Sequence, residues 1–296
     1  MKNNFRAYEI LGNIAIVKFS REVKEKDKKK FANKILNENK SVKTILEKTG
    51  KVKGRLRKIQ TKYLAGENTK EALYRENNCV FRFNVDKTYF SARLSNERKE
   101  IASYIKKGDN VLVMFAGIAP LPIIIAKNSQ ARRVYSNEIN REANKYAQLN
   151  IELNKLKERV ELVPGDIKRV ALQLSHHQIP QFATSLKYGL YRELAHHPPK
   201  KRGDKRLNEV PSKFDVIAMP RPQLKDSFLK EAFMLSRKGT RVYYYDFCKE
   251  EEIDSIVEKV KEQSKKYKKK IKIIRVKKAG DIAPRRYRVR VDFVLM

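Results

Sequence analysis

The stretch NVLVMFAGIAP at residues 110–120 decides the fold of this chain. Residues 110–115 form a nearly continuous apolar run, which is typical of a strand buried on both faces of a parallel sheet. Small residues follow the run, and Gly117 and Ala119 would let the backbone of the turn come close to a ligand. The stretch therefore predicts a buried strand that ends in a ligand-binding turn.

Similar short strands recur along the chain and alternate with helices. Further buried strands are expected at residues 133–136, 160–163, 216–219 and 241–245. Helical patterns are found at residues 97–105, 141–153 and 227–236. This alternation predicts an α/β fold with a doubly wound, mostly parallel sheet. The two last strands, expected at residues 270–277 and 287–295, should be antiparallel, as is common at the edge of such sheets.

A smaller unit precedes the alternating pattern. Two short β runs flank a Gly12-Asn13 turn, and a charged helix with an apolar stripe is expected at residues 25–39. Short alternating segments follow at residues 52–56 and 80–85. This order predicts a small α+β domain over residues 1–87 and a second domain over residues 88–296.

The charge of the chain points to a polyanionic partner. Lysine and arginine together number 68 against 34 aspartates and glutamates, which gives a formal net charge of +34. Solubility requires a far smaller excess, so solubility or heat adaptation is the weaker explanation. Each phosphate that a cation neutralises releases counterions and favours binding. A nucleic acid is therefore the expected partner.

Cysteine content and the length of the apolar runs indicate the cellular compartment of the protein. Cys79 and Cys248 are far apart and have no C-x-x-C partner, which excludes a disulfide framework and a zinc ribbon. No apolar run reaches the length of a membrane span, and the first residues do not open a signal peptide. We therefore expect a cytoplasmic protein without a membrane partner.

A long connection interrupts the second domain at about residues 170–213. It contains all four histidines, as pairs at 176–177 and 196–197, and a basic run at 200–202. A metal site is one interpretation, but adjacent histidines lack the helical spacing of ligands and no carboxylate accompanies them. A basic arm facing RNA is favoured over a metal, a loop without a role is the other alternative, and no metal is expected.

Four features fall at the carboxyl ends of successive strands, where doubly wound sheets bind ligands. The turn around Gly117 is followed, about twenty positions on, by Glu138, the type of residue that binds ribose hydroxyls. Asp166 can accept a hydrogen bond from an adenine amino group, and the PRP loop at residues 220–222 is rigid. The turn is not G-x-G-x-x-G, and no helix N-terminus is set for a pyrophosphate. Together the features favour S-adenosylmethionine over NAD.

Several longer motifs are specific enough to suggest a family. They are YREN at residues 74–77, YFSARLSNER at 89–98 and MFAG at 114–117, together with the first β pair and the last strand. In these motifs the chain resembles the archaeal tRNA guanine-37 N1-methyltransferase family, over nearly its whole length apart from the insertion. The resemblance implies a small RNA-positioning domain followed by a class I methyltransferase domain. It also implies S-adenosylmethionine as cofactor and the tRNA anticodon loop as partner, and we expect a monomer.

The resemblance also implies roles for individual residues. Catalysis would involve Glu97, which would remove the N1 proton of guanine, Arg57, which would stabilise the guanine oxygen, and Pro220. Cofactor binding is expected of Arg98, Phe115, Gly117, Glu138, Ile139, Asp166, Ile167 and Pro220. Substrate binding is expected of Tyr89, Arg75 and Pro222. The target base must leave the loop to enter the pocket.

Three positions depart from the family pattern. Val113 stands where an acidic residue is expected, Ala119 replaces a glycine, and residues 220–222 read PRP where the family has Asn-Leu-Pro. The motifs begin directly with the second domain of the family, so we expect the chain to lack the domain with which some members grip the tRNA elbow. Three alternatives stay open. They are a wider substrate range that includes the tricyclic wyosine precursor 4-demethylwyosine, a wybutosine-pathway aminocarboxypropyl transferase, and a tRNA-binding protein that has lost catalysis.

Overall fold

The computed structural model describes residues 8–50, 59–175, 210–220 and 225–296. The strands are β1 (Glu9–Leu11), β2 (Ile14–Val17), β3 (Thr44–Lys48), β4 (Thr61–Gly66), β5 (Glu71–Glu76), β6 (Cys79–Asn84), β7 (Asn110–Val113), β8 (Arg133–Glu138), β9 (Val160–Pro164), β10 (Phe214–Met219), β11 (Ser236–Lys249), β12 (Ile271–Ala283) and β13 (Arg286–Leu295). The helices are α1 (Glu25–Glu38), α2 (Ser95–Ser103), α3 (Pro120–Asn128), α4 (Arg141–Leu153), α5 (Ile167–Ser175), α6 (Leu229–Met234) and α7 (Ile253–Lys266).

A seven-stranded sheet in the order β12-β13-β11-β10-β7-β8-β9 forms the centre of the molecule. Strands β11, β10, β7, β8 and β9 are parallel, and β13 is antiparallel to both of its neighbours. The chain moves outward from β7 to β9 and then returns to the other side of β7 as β10. The strand order therefore reverses between β7 and β10, where ligands bind in such sheets. The expected doubly wound fold is confirmed, including its antiparallel last pair.

Alternation along the first parallel strand explains why the sheet is covered on both faces. Val111 and Val113 belong to a hydrophobic cluster with α3 and α4, while Leu112 and Met114 belong to another with α5, α6 and α7. All four side chains are 0% exposed. Burying each contributes roughly 1.5–3 kcal/mol, so this apolar run stabilises both layers of helices.

The amino-terminal unit is a four-stranded sheet, β1-β2-β3-β4, with α1 packed on one face. The parallel strands β2 and β3 are connected by α1, whose Ile35 is buried. The turn before β2 requires glycine, because Gly12 has a φ of +62° and a Cβ there would lie 1.9 Å from the carbonyl oxygen of Leu73. The β pair and the helix at 25–39 are confirmed. Residues 52–56 lie outside the described residues, and the sequence does not predict β3 or β4.

The hairpin β5–β6 connects this unit to the main sheet through α4. The Asn154 side chain accepts from the Val80 amide at 2.9 Å and donates to the Val80 carbonyl at 2.7 Å. Asn150 accepts from the Arg82 amide at 2.7 Å. The hydrophobic cluster on this face of the main sheet continues through the hairpin into β1 and β2. The domain boundary expected near residue 87 stays a prediction.

Several boundaries differ from those expected. The helix expected at residues 227–236 is the shorter α6, because β11 already begins at Ser236. The sequence does not predict α3, which is apolar around its circumference and therefore lacks a 3.6-residue period. The start of the expected insertion is wrong, since residues 170–175 belong to α5 and bury its apolar face in the core. The remainder of the arm, at residues 176–209, lies outside the described residues.

Within the described ranges, no helix is long and apolar enough to cross a membrane. In the same ranges, no group of three or more His, Cys, Asp and Glu side chains could hold a metal ion. The four histidines lie outside the described residues, so the expectation that they bind no metal stays a prediction.

Candidate active site

The turn after β7 has a strained backbone at the edge where the parallel strands end. Phe115, Gly117 and Ala119 have positive φ angles of 58°, 60° and 64°. Left-handed backbone costs a residue with a Cβ roughly 1–2 kcal/mol. Ala119 therefore adopts, at a cost, the conformation that a glycine would adopt freely. Such strain is concentrated at functional sites, which marks this turn as a candidate ligand site.

Glu138, at the end of β8, fixes the turn to the neighbouring strand ends. Its Oε2 accepts a hydrogen bond from the Gly117 amide and its Oε1 accepts one from the Asn140 amide, each at 2.8 Å. The preceding Asn137 donates to the Val163 carbonyl at 2.7 Å, which joins β8 to β9. The structure therefore places Glu138 beside the turn, as the strand order predicts.

The residues expected around an adenine lie on the two outer strand ends. Asp166 accepts a hydrogen bond from the Lys168 amide at 3.0 Å in the first turn of α5. Ile139 is half-buried after β8. Ile167 is only 2% exposed and packs in the core, so only a small part of its side chain is accessible to a ligand. Their contact with a cofactor stays a prediction.

A cleft opens between the turn after β7 and the segment that leads into α2. Six residues expected from the sequence line it, namely Tyr89, Glu97, Arg98, Phe115, Gly117 and Pro220. The other lining residues are Phe90, Ser91, Leu94, Ala116, Pro120, Leu121, Tyr245 and Arg288. The strand-end turn and the start of α2 thus share one cleft.

Glu97, in the first turn of α2, is held by side chains from three strands. Its Oε1 accepts hydrogen bonds from the Tyr245 hydroxyl at 2.7 Å and from Arg290 Nη1. Lys277 Nζ lies 3.2 Å from Oε2. Burial, and then the negative charge of Glu97, raise the pKa of Tyr245 well above its usual value, so its hydroxyl stays a donor. The three partners form one row across β11, β13 and β12, which fixes the direction of the carboxylate.

Glu100, one turn further along α2, belongs to the same ion cluster. The fully buried Arg290 also binds Glu100 at 3.0 Å and Asp292 at 2.6 Å. Burial opposes ionisation of Glu100, but hydrogen bonds from Lys277, Tyr104 and Arg290 outweigh it and lower the pKa of Glu100 to about 2. Removing Arg290 would therefore leave the buried Asp292 without its described ion pair, whereas Glu97 and Glu100 would keep Lys277.

Arg98 lines the cleft but is engaged in a buried ion pair. Its Nε and Nη2 donate to the two carboxylate oxygens of Glu76 at 2.5 and 2.6 Å. Nη2 also donates to the Ser91 carbonyl at 3.0 Å, and the guanidinium lies 5.1 Å from the ring centroid of Phe90. These contacts fix one wall of the cleft. A direct contact of Arg98 with the cofactor stays a prediction.

The structure does not bring the expected Arg75 to the cleft. Tyr74 and Glu76 of β5 contact Phe90 and Arg98, so strand alternation directs the exposed Arg75 to the opposite face. Three other positions lie outside the described residues, namely Arg57, Arg221 and Pro222. Their expected roles stay predictions.

Tyr245 and Arg290 are candidates that the sequence-based prediction misses. A signal does exist in RYRVRVDFVL, the sequence of β13, where charged and apolar residues alternate. A charge in the middle of a buried strand requires a partner. The sequence does not indicate which one, because Glu97 lies 193 residues away from Arg290.

Two family models match the chain. The one described as the TRM5/TYW2 methyltransferase domain matches residues 72–181, and the one described as the TYW2 N-terminal domain matches residues 1–69. The matches therefore extend over the amino-terminal unit and over the cleft residues from Tyr89 to Leu121, but not over Pro220, Tyr245 and Arg288.

Two relatives are similar over almost the whole chain. The tRNA (guanine(37)-N(1))/4-demethylwyosine(37)-methyltransferase Taw22 of Nanoarchaeum equitans is 33% identical over 98% of this chain and 100% of its own length. The tRNA (guanine(37)-N(1))-methyltransferase Trm5b of Pyrococcus abyssi is 30% identical over 97% of this chain and 74% of its own length.

Solved structures show the same architecture. The crystal structure of wild-type Trm5b from Pyrococcus abyssi has a TM-score of 0.74 at 30% identity, over 98% of this chain and 74% of that one. Pyrococcus horikoshii TYW2 in complex with MeSAdo has a TM-score of 0.73 at 20% identity, over 100% of this chain and 92% of that one. The second likeness is one of fold alone.

Proposed function

This chain belongs to the TRM5/TYW2 methyltransferase family, and from that premise we propose that it transfers a methyl group from S-adenosylmethionine to N1 of guanosine-37 in tRNA. The observation that carries the proposal is the position of Glu97, a carboxylate in the cleft beside the strand-end turn. Guanine N1 carries a proton at neutral pH, and a base must remove it for the nitrogen to become a nucleophile.

The strand ends fit S-adenosylmethionine, which when bound supplies a methyl group on a sulfonium. Glu138 accepts hydrogen bonds and suits ribose hydroxyls, and Asp166 suits an adenine amino group. A Cβ at Gly117 would have the Tyr89 carbonyl oxygen as its nearest described neighbour, at 3.5 Å, so this side of the turn can take a ligand closely. The helix that follows begins PLP at Pro120. Its prolines lack amide donors, which disfavours a cofactor with a pyrophosphate.

The residues around the cleft have different roles in the proposed reaction. Glu97 accepts the N1 proton, and the row of Tyr245, Arg290 and Lys277 holds its carboxylate in one direction. Tyr89 and Pro220 line the cleft. We assign Tyr89 to the target base and Pro220 to the surroundings of the reacting atom. Negative charge that develops on the guanine oxygen needs a nearby cation, for which Arg57 stays the prediction.

A second substrate, 4-demethylwyosine at the same position, is favoured by one observation. The Taw22 relative, whose name includes that substrate, matches 98% of this chain over its own full length. Aminocarboxypropyl transfer from the same cofactor is the competing reaction. The carboxylate of Glu97 in the cleft favours methyl transfer, since N1 must lose a proton.

Nucleoside mass spectrometry tests the proposal. With S-adenosylmethionine and a tRNA transcript that carries G37, we expect 1-methylguanosine, and a matched transcript with A37 should stay unmodified. An aminocarboxypropyl product would contradict methyl transfer. Absence of any product, together with no S-adenosylmethionine binding by calorimetry, would instead support a tRNA-binding protein without catalysis. A tRNA that carries 4-demethylwyosine tests the second substrate.

Three further expectations belong to the same proposal. Base 37 leaves the anticodon loop to enter the cleft. The unit that ends near residue 87 positions the tRNA. The protein acts as a monomer in the cytoplasm.

A further inference from the structure

A row of arginines extends from the cleft along β13. Because β13 pairs with β11 in a regular antiparallel register, alternate residues share a face. Arg290, Arg288 and Arg286 therefore face the same side at intervals of about 6–7 Å. Arg290 contacts Glu97, Arg288 lines the cleft, and Arg286 is exposed at the start of the strand. We call these three residues the arginine row.

The arginine row ends at the same edge of the sheet as the ligand-binding turn. Tyr244 of β11 pairs with Met219, the last residue of the parallel strand β10. Strand β11 continues beyond that point to Lys249, which pairs with Arg286. The hairpin β12–β13 therefore projects past the parallel strand ends as one wall beside the cleft. Residues 280–286, at its tip, are all exposed.

Charge compensation decreases outward along the arginine row. Arg290 has ion pairs with three carboxylates. Arg288 places its guanidinium 5.2 Å from the ring centroid of Phe247. Among the residues that the structure describes, no carboxylate forms an ion pair with Arg288, Arg286 or the adjacent Arg285.

The acidic residues of this wall lie on the other side of the strand. Glu250 forms an ion pair with Lys278 and accepts a hydrogen bond from the Tyr287 hydroxyl at 3.3 Å. Asp281 is paired with Tyr287 in the hairpin register. Tyr287 alternates with the arginine row along β13, so these carboxylates do not neutralise it.

We propose that Arg285, Arg286 and Arg288 bind phosphate groups of the nucleotides that flank the base inserted in the cleft. The inference rests on the proposed function, because it takes an RNA substrate as given. Guanidinium groups bind phosphate oxygens through paired, charge-assisted hydrogen bonds. These three arginines give up no described ion pair when they do so. One strand then positions both the catalytic carboxylate, through Arg290, and the RNA backbone.

The test compares two double variants that remove the same charge. Arg285→Gln with Arg286→Gln changes the hairpin tip. Lys106→Gln with Lys107→Gln changes two exposed lysines before β7, at the opposite edge of the sheet. For the hairpin variant we expect the Kd for a tRNA transcript to rise about tenfold and the slope of log Kd against log salt to flatten by roughly 1.4, about 0.7 for each phosphate that is no longer neutralised. The control should keep the wild-type slope.

Affinity for S-adenosylmethionine, measured by calorimetry, reports whether each variant is folded. Where the hairpin double variant loses that affinity, the single variants Arg285→Gln and Arg286→Gln replace it, each with about half of the slope change. A wild-type slope in the folded hairpin variant would overturn the proposal. Equal flattening in both double variants would overturn the proposal too, since tRNA binding would then depend on positive charge at both edges of the sheet and not on the hairpin tip. Failure of the proposed function is distinct, because the wild-type protein would then leave the G37 transcript unmodified.

Discussion

Glu138 and Glu97 are both carboxylates near the edge where the parallel strands end, yet the chain holds them in opposite ways. Glu138 accepts hydrogen bonds from backbone amides 2 and 21 residues away. Glu97 is held by the Tyr245 and Arg290 side chains, which lie 148 and 193 residues away. The proposed cofactor end of the site is therefore built from neighbouring strand ends, whereas the proposed catalytic end depends on the completed sheet.

The largest effect is expected at Glu97. Glu97→Gln keeps the shape of the side chain but removes the base, so kcat should fall by roughly 10²–10⁴-fold while tRNA binding survives. Steady-state kinetics with saturating S-adenosylmethionine measures the change. Lys99→Gln, an exposed change on the same helix, is the control. Full turnover by Glu97→Gln would remove Glu97 from the mechanism.

Loss of Arg290 should mainly affect stability. Arg290→Met leaves the buried Asp292 without its paired cation, which typically costs about 3–5 kcal/mol in the free energy of unfolding. Urea denaturation measures this cost. Lys277→Met is the comparison, because the Lys277 side chain is 29% exposed and its loss should cost about 1 kcal/mol or less. Equal stability of Arg290→Met and wild type would show that the cluster does not depend on its arginine.

Substitution of Glu138, the carboxylate that nearby backbone amides hold, should affect cofactor binding alone. Glu138→Ala removes the proposed ribose acceptor and an anchor of the Gly117 turn, so S-adenosylmethionine binding should weaken by about 1–3 kcal/mol. Calorimetry measures the affinity, with Glu142→Ala on the adjacent helix as control. If the two variants bind the cofactor equally well, Glu138 plays no part in the site.

The smallest effect is a dependence of stability on pH. The pKa of Glu100 is about 2 in the folded protein, below the value of about 4.3 for an unfolded chain. Its stabilising contribution is therefore complete above about pH 4.3 and is lost as the pH falls towards 2. The shift sets a limit of about 3 kcal/mol, and because the side chain is 27% exposed we expect ~1–2 kcal/mol.

Urea unfolding at neutral and acidic pH, for wild type and Glu100→Gln, measures this contribution. The free energy of unfolding of the wild type should fall by that amount more than the free energy of unfolding of the variant. Parallel losses in the two proteins would assign the acid sensitivity to other groups.

The fold could be predicted from the sequence wherever the local pattern of apolar residues reflects burial. Apolar runs predict the parallel strands because each is covered on both faces, and the strand order then brings Glu138 to the turn that contains Gly117. The pattern fails at α3, which is apolar on every side, and at residues 170–175, where a core helix precedes a polar segment.

Only part of the proposed catalytic end of the site could be predicted from the sequence. The motif around Glu97 predicts a carboxylate in the cleft, because the motif is contiguous in sequence. Its partners Tyr245 and Arg290 cannot be predicted, since the register of β11 and β13 decides which of several tyrosines and arginines faces α2. Arg98 shows the same limit, because the Glu76 that binds it lies on a separate hairpin.

The pH dependence of a single methyl transfer tests most directly whether Glu97 removes the N1 proton. The rate is measured with enzyme in excess over a G37 transcript, for wild type and Glu97→Gln. We predict a large deficit of Glu97→Gln at neutral pH that narrows as the pH approaches the value at which guanine N1 loses its proton unaided. Equal rates with the same pH profile in the two proteins would contradict the assignment of Glu97 as the base.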